Sequence, residues 1–274
     1  MAGGTAYVGI DLAWGTRAPT GLAAVAEDGA LLASATVRTD DEVAAWVDGL
    51  GRDPVVVALD APLVVTNAVG MRECERMVAR AFGAHGASCH PSSRARPRFD
   101  PPRAETLARR CGWRPDPVVG AVGDGGVPVA IEVYPHAAMV GLFTLGSVLP
   151  YKAKAGRTLD LRRAAMLEVL YHLETVPELQ LEEHPRWQLL RTAVEDAARH
   201  VDLERVEDEV DAVLCAHLAW LWVHRPSALR VYGGADGFIV ATPPPAQPPW
   251  RLRVEPLPLF HVRFPVERGR TRAA

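Results

Sequence analysis

Asp11 and Asp60 each end a short apolar run, Ala6-Tyr7-Val8-Gly9-Ile10-Asp11 and Val55-Val56-Val57-Ala58-Leu59-Asp60. Runs this short, β-branched and apolar on both faces read as buried parallel strands. A carboxylate ending such a strand stands at the carboxyl edge of the sheet, where open α/β sheets bind ligands. If the two strands are neighbours, their ends lie about 5 Å apart. Carboxylates that close repel each other unless a cation or a shared proton stands between them. The pair therefore predicts a divalent metal, and a metal at a sheet edge predicts phosphate chemistry.

Further acidic groups fall in Glu207-Asp208-Glu209-Val210-Asp211. Asp208 and Asp211 are three apart and share one helix face. Val210, Val213 and Leu214 put an apolar stripe beside that face, so Asp211 sits at the core boundary, where an unpaired carboxylate is costly. Glu207 and Glu209 read instead as acids favoured by the dipole of a first helical turn. In Ile131-Glu132-Val133-Tyr134-Pro135-His136, Glu132 is either another metal ligand or the anchor of an arginine, and a site role is favoured. His136, at a helix start, either orients water or binds phosphate, or is simply solvated. Two basic stretches are candidates to hold phosphates: Lys152 and Lys154 with Arg157, and the alternating Arg94, Arg96 and Arg98. The plain alternative for both is a solvated loop.

The elements that must position these groups follow from local pattern. Residues 6–13 read as strand one, 20–26 as strand two and 31–37 as strand three, with Asp28-Gly29 as a type I′ turn between the last two. A helix over 41–50 buries Val43, Trp46, Val47 and Leu50 on one face. The strand ending at Asp60 then returns parallel to strand one through a right-handed crossover, which places Asp11 and Asp60 on one sheet edge. Residues 62–126 are irregular and read as an insertion, a loop or lid over that edge, with helices near 70–82 and 104–111. A fifth strand spans 127–134, and Pro135 suits a first helical turn. Helices follow at 159–174, 186–200 and 206–225, then a hairpin from 228–232 and 237–242. The expected domain is 1–242, with a proline-rich tail over 243–274.

The 274 residues suit one large α/β domain, and 49% hydrophobic residues suffice for a substantial core. A net charge of -3 supplies no global field toward nucleic acid or membrane, so any polyanion site must be local. Lys152 and Lys154 are the only lysines among 30 basic residues, which reads as composition bias. Cys74, Cys89, Cys111 and Cys215 show no paired spacing and read as reduced thiols of a cytoplasmic protein. Cys89, His90 and His85 fit no standard zinc pattern. Neither a membrane-spanning run nor a cleaved targeting segment is expected.

Together the segments GIDLAW (9–14), LDAPL (59–63), RECE (72–75), EVYPHAA (132–138), YKAK (151–154), DEVDAVLCAHLA (208–219) and DGFIV (236–240) resemble a family of prokaryotic proteins described as RNase H-like nucleases, of the DUF429 type. The resemblance implies a ribonuclease H-like mixed sheet, a three-strand antiparallel meander plus parallel strands, flanked by helices. It implies metal-binding carboxylates at Asp11, Asp60 and Asp211, with Glu132 and Asp208 in support. Relatives such as Holliday-junction resolvases use two magnesium ions bridged by carboxylates, and the oxygen-only ligand set here suits Mg2+ or Mn2+. The implied partner is nucleic acid, RNA or DNA. Ribonuclease H itself carries a glutamate on the helix after strand three, whereas Glu42 stands at the opposite end of that helix, leaving the fourth ligand open. Two rival readings remain. Gly9 to Thr16 also looks like the first phosphate hairpin of the actin-like ATPase group, although no second copy follows. The other is a catalytically inactive RNase H-like binding module.

Overall fold

The computed structural model describes residues 4–15, 18–123 and 126–247. The apolar runs form β1 (Thr5–Asp11), β2 (Thr20–Val25), β3 (Leu31–Val37) and β4 (Asp53–Leu59). Two more strands, β5 (Arg114–Pro115) and β6 (Val129–Glu132), complete a six-stranded mixed sheet in the order β3-β2-β1-β4-β6-β5. The first three strands are the antiparallel meander and the other pairings are parallel, the arrangement expected of the ribonuclease H-like architecture. Ile10 pairs with Leu59, and the Asp60 amide donates to the Ile10 carbonyl at 2.8 Å. Asp11 and Asp60 are thus the next residues out on adjacent strands.

Between β3 and β4 lies α1 (Asp40–Gly49), opened by a Thr39/Glu42 capping box that satisfies two otherwise orphaned amides. The β2–β3 turn differs from expectation. Gly29 takes a positive φ of 89°, but Asp28 does not, and Asp28 instead accepts from the Ala30 amide. The Asp28 carboxylate supplies the turn's bond locally, so only one left-handed residue is needed.

Residues 62–126 contain α2 (Glu73–Phe82), α3 (Arg103–Cys111) and the edge strand β5. They are not a lid. Cys74, Val78, Phe82, Leu107 and Trp113 join the same buried core as the sheet. The apolar face of α2 covers the hairpin β7 (Arg230–Gly234) and β8 (Gly237–Ala241), which reaches β6 through a parallel bridge from Val240 to Val133.

After β6 come α4 (Pro135–Leu142), α5 (Leu159–Glu174), α6 (Pro185–Glu195) and α7 (His200–His224). The break between the last two falls earlier than expected. Asp202 accepts from the Arg199 amide and caps α7 there, and the apolar stripe extends back to Leu203 and Val206. No helix of the described residues is long and apolar enough to cross a membrane. Most of the proline-rich tail, 248–274, lies outside the described residues, as does Thr16 of the phosphate-hairpin reading.

The position of α7 matters most for the site. It lies across β1, β2 and β4, burying Val210, Val213, Leu214, Leu218 and Trp222, each worth about 1.5–3 kcal/mol. Two glycines set its height. A Cβ on Gly9 would stand 2.1 Å from the Ala216 amide nitrogen and 2.2 Å from the Ala212 carbonyl oxygen. A Cβ on Gly21 would stand 1.8 Å from the Asp208 carbonyl oxygen. Backbone meets backbone at both points, so neither neighbour can swing aside. Gly9→Ala is expected to cost about 3 kcal/mol or more, at the top of the overpacking range, read as a fall in the urea midpoint. An unchanged midpoint would show that the helix does not rest on β1.

Candidate metal centre at the sheet edge

The close approach of α7 to β1 and β2 brings Asp208 and Asp211 over the end of the strand that Asp11 terminates. Lys152, on the connection between α4 and α5, enters the same place. Its Nζ lies 2.6 Å from Asp211 Oδ2, 3.2 Å from Asp11 Oδ2 and 3.6 Å from Asp208 Oδ1. Asp60 stands beside Asp11 at the end of β4, close enough that the charges of Asp11 and Asp211 oppose its ionisation. Residues widely separated in the chain therefore share one acidic pocket.

Its electrostatics are unbalanced. Four carboxylates face one ammonium. Burial, and then the Asp11 charge, push Asp60 well above the usual carboxylate range. Asp11 is pushed up to about 7 by burial, with Lys152 opposing and Asp211 and Asp208 adding to the rise. Asp208 rises to about 6, again by burial first. For Lys152, burial disfavours the charge, but the surrounding aspartates outweigh it and hold the ammonium protonated.

Asp211 is 1% exposed, and its two oxygens are treated differently. Oδ1 accepts from the Tyr151 hydroxyl at 2.9 Å. Oδ2 has only the ion pair to Lys152, out of line for a hydrogen bond, and is buried without one. Tyr151 adjoins Lys152 in the sequence, yet its contact with Asp211 spans 60 residues and has no local signal. The loop bearing both is tied down by arginines. Arg162 Nε donates to the Tyr151 carbonyl at 3.0 Å, and Arg157 donates to the Lys152 carbonyl at 2.8 Å.

His136 borders the pocket, stacked on Tyr134 at 5.6 Å and tilted against Tyr151 at 5.5 Å. Burial, aided by the charges of Lys152 and Arg157, pushes it down to about 4, so the imidazole is neutral near pH 7.

Several expected site residues are engaged elsewhere. Glu132 is 3% exposed and receives the Arg72 fork at 2.8 and 2.6 Å together with the Leu63 amide at 2.8 Å. Both oxygens are occupied, so it anchors Arg72 and the chain after Pro62 rather than standing open to a metal. Arg94 binds the Val65 carbonyl and Asp100, and Arg96 binds the Pro91 carbonyl. They fasten their loop to itself and to the segment after Pro62. Arg98 lies over the Trp14 ring at 4.8 Å. Glu207 and Glu209 are not first-turn acids, because α7 begins at His200. Glu209 accepts from Arg186, Ser34 and Thr36, and Glu207 from Arg162. Lys154 is exposed on the outer side of its loop.

The donor chemistry suits a hard divalent cation: Asp11, Asp60, Asp208 and Asp211 offer only oxygen, and one buried oxygen of Asp211 lacks a hydrogen bond. As they stand, with the ammonium among them, no group of three or more His, Cys, Asp or Glu side chains among the described residues is spaced to hold a metal ion. All four cysteines are free thiols.

No curated protein and no solved structure matches the chain. A family model does match, over residues 9–236, a span that takes in the end of β1, the lysine loop and the whole of α7. The chain belongs to the family described as protein of unknown function, DUF429.

Proposed function

We propose that this protein is a divalent-metal-dependent nuclease that hydrolyses phosphodiester bonds of nucleic acid. One observation carries the reading: four aspartates, from two adjacent strand ends and one helix, converge on a pocket that holds a single ammonium. Burying that much like charge is unfavourable unless further cations arrive. Asp11, Asp60, Asp208 and Asp211 would hold Mg2+ or Mn2+, which when bound supplies Lewis-acid stabilisation of phosphate charge and a more acidic water.

The chain's own groups have distinct tasks. Tyr151 fixes the rotamer of Asp211 through Oδ1 and leaves Oδ2 directed into the pocket. Lys152, on a loop, carries a permanent positive charge able to meet a phosphate oxygen once it leaves the aspartates. His136, neutral near pH 7, can accept a hydrogen bond at the pocket wall. Glu132 and Arg72 hold the segment that follows Asp60.

The position of Lys152 favours one second reading, an RNase H-like module that binds nucleic acid with the ammonium permanently in place of metal and does not cleave. Manganese calorimetry separates the two. The nuclease reading expects wild-type protein to bind Mn2+ in the micromolar range and the Asp11→Asn variant to bind at least tenfold more weakly. Absence of any saturable Mn2+ binding to the wild type at millimolar metal would defeat it and leave the binding module.

A further inference from the structure

We propose that the concave surface beside the aspartates is a phosphate subsite, gripping the backbone of a nucleic-acid strand one or two nucleotides from the acidic pocket. The assignment of the ligand as a strand rests on the nucleic-acid reading above. A cavity of about 420 Å3 opens between the lysine loop, α5 and the start of α7, lined by Lys154, Arg157, Arg162, His200 and Glu204.

The lining is rich in donors. Arg162, 1% exposed, forms the floor, held by the Tyr151 carbonyl, Glu207 and Glu204. Its Nη1 also lies 2.9 Å from His200 Nδ1. A guanidinium has no acceptor, so Nδ1 must accept, and the His200 imidazole carries its proton on Nε2 as a donor. Lys154 and Arg157 form no ion pair among the described residues, and the Arg157 side chain donates to a carbonyl of its own loop. Two cations without an ion pair and the His200 imidazole thus line the cavity, against one carboxylate, Glu204, already shared with Arg162. Only Ala153 and Ala155 offer apolar surface, too little for a hydrophobic ligand. A guanidinium fork beside a lysine point charge suits phosphate oxygens.

The placement fits a strand. The loop turns Lys152 inward to the aspartates and Lys154 and Arg157 outward to the cavity. On α7, Glu204 lines the cavity and Asp208 the acidic pocket, four residues apart, or about 6 Å along the axis. A phosphate in the cavity therefore lies close to one over the aspartates.

The test is fluorescence anisotropy with a labelled strand of ten thymidines in EDTA, over a series of salt concentrations. The Lys154→Ala/Arg157→Ala double variant, which replaces an exposed lysine and a half-buried arginine that also holds the Lys152 carbonyl, is expected to bind at least tenfold more weakly than wild type, and Lys154→Ala alone, which leaves that hydrogen bond in place, to bind more weakly as well. The double variant's slope of log K against log salt should shrink by about 1.4, since each lost single-strand phosphate contact removes about 0.7. An unchanged affinity and slope, or a wild-type chain that does not bind the strand, overturns the subsite. Because metal is absent, the outcome is independent of cleavage: binding that depends on Lys154 and Arg157 without Mn2+-dependent hydrolysis would keep the subsite and remove the nuclease.

Discussion

The Asp60→Asn variant is expected to lose metal-dependent cleavage at least a thousandfold, about 4 kcal/mol of transition-state stabilisation, while remaining folded. Asparagine keeps the shape of the side chain but removes one of the oxygens a divalent ion would share with Asp11. The same change should make the metal-free protein less sensitive to pH. In the unfolded chain Asp60 and Asp11 ionise in the ordinary carboxylate range, but in the folded protein Asp11 ionises only near 7 and Asp60 well above its usual value. The folded state therefore binds more protons than the unfolded one across that interval. Stability is fully present below about pH 4, and is lost as pH rises through the folded values, by up to about 1.4 kcal/mol per pH unit for each group. Wild-type protein in EDTA should melt at progressively lower temperature from pH 4 to 8. The variant, with one of these groups gone, should fall less. Mn2+ should flatten the wild-type profile and leave that of the variant unchanged. Retained cleavage, or a variant more pH-sensitive than wild type, would remove Asp60 from the site.

The second large effect runs against ordinary expectation for a residue at a binding site. Lys152 contacts three of the four aspartates. An incoming metal must compete with its ammonium for the same oxygens. The Lys152→Gln variant should bind Mn2+ at least tenfold more tightly than wild type, a gain of about 1.4 kcal/mol. Without metal it should be less stable by about 3 kcal/mol, because a buried carboxylate loses its charged partner. Calorimetry reads the first and urea melts in EDTA read the second. Equal or weaker Mn2+ binding would mean that the ammonium and the metal occupy different positions. Both predictions concern one balance of charge: the folded protein accumulates more negative groups at the sheet edge than its single lysine offsets.

The parts of this arrangement legible in the sequence were those encoded locally. Asp11 and Asp60 declared themselves as carboxylates ending apolar runs, and the meander, helix, strand order then put them on neighbouring strands. The three-residue spacing of Asp208 and Asp211 put both on one face of α7. Other readings stopped at the point where partners had to be chosen. Glu132 and Arg72 are 60 residues apart, and nothing near either announces that the arginine fork fills both carboxylate oxygens. Arg94 and Arg96 looked like phosphate ligands by type, but Arg94 donates to the Val65 carbonyl and Asp100, and Arg96 to the Pro91 carbonyl. The irregular stretch 62–126 gave no periodic signal strong enough to show that it joins the core.

The first four strands and the helix faces were determined by the sequence alone, because backbone sterics and side-chain periodicity act over a few residues. Only the tertiary structure decided that Lys152, 141 residues from Asp11, sits among the aspartates, that Tyr151 holds Asp211, and that Gly9 and Gly21 let α7 descend onto the sheet. Those contacts depend on which surfaces pack together and how closely, and that is settled by burial and charge over the whole molecule rather than by any window of the chain.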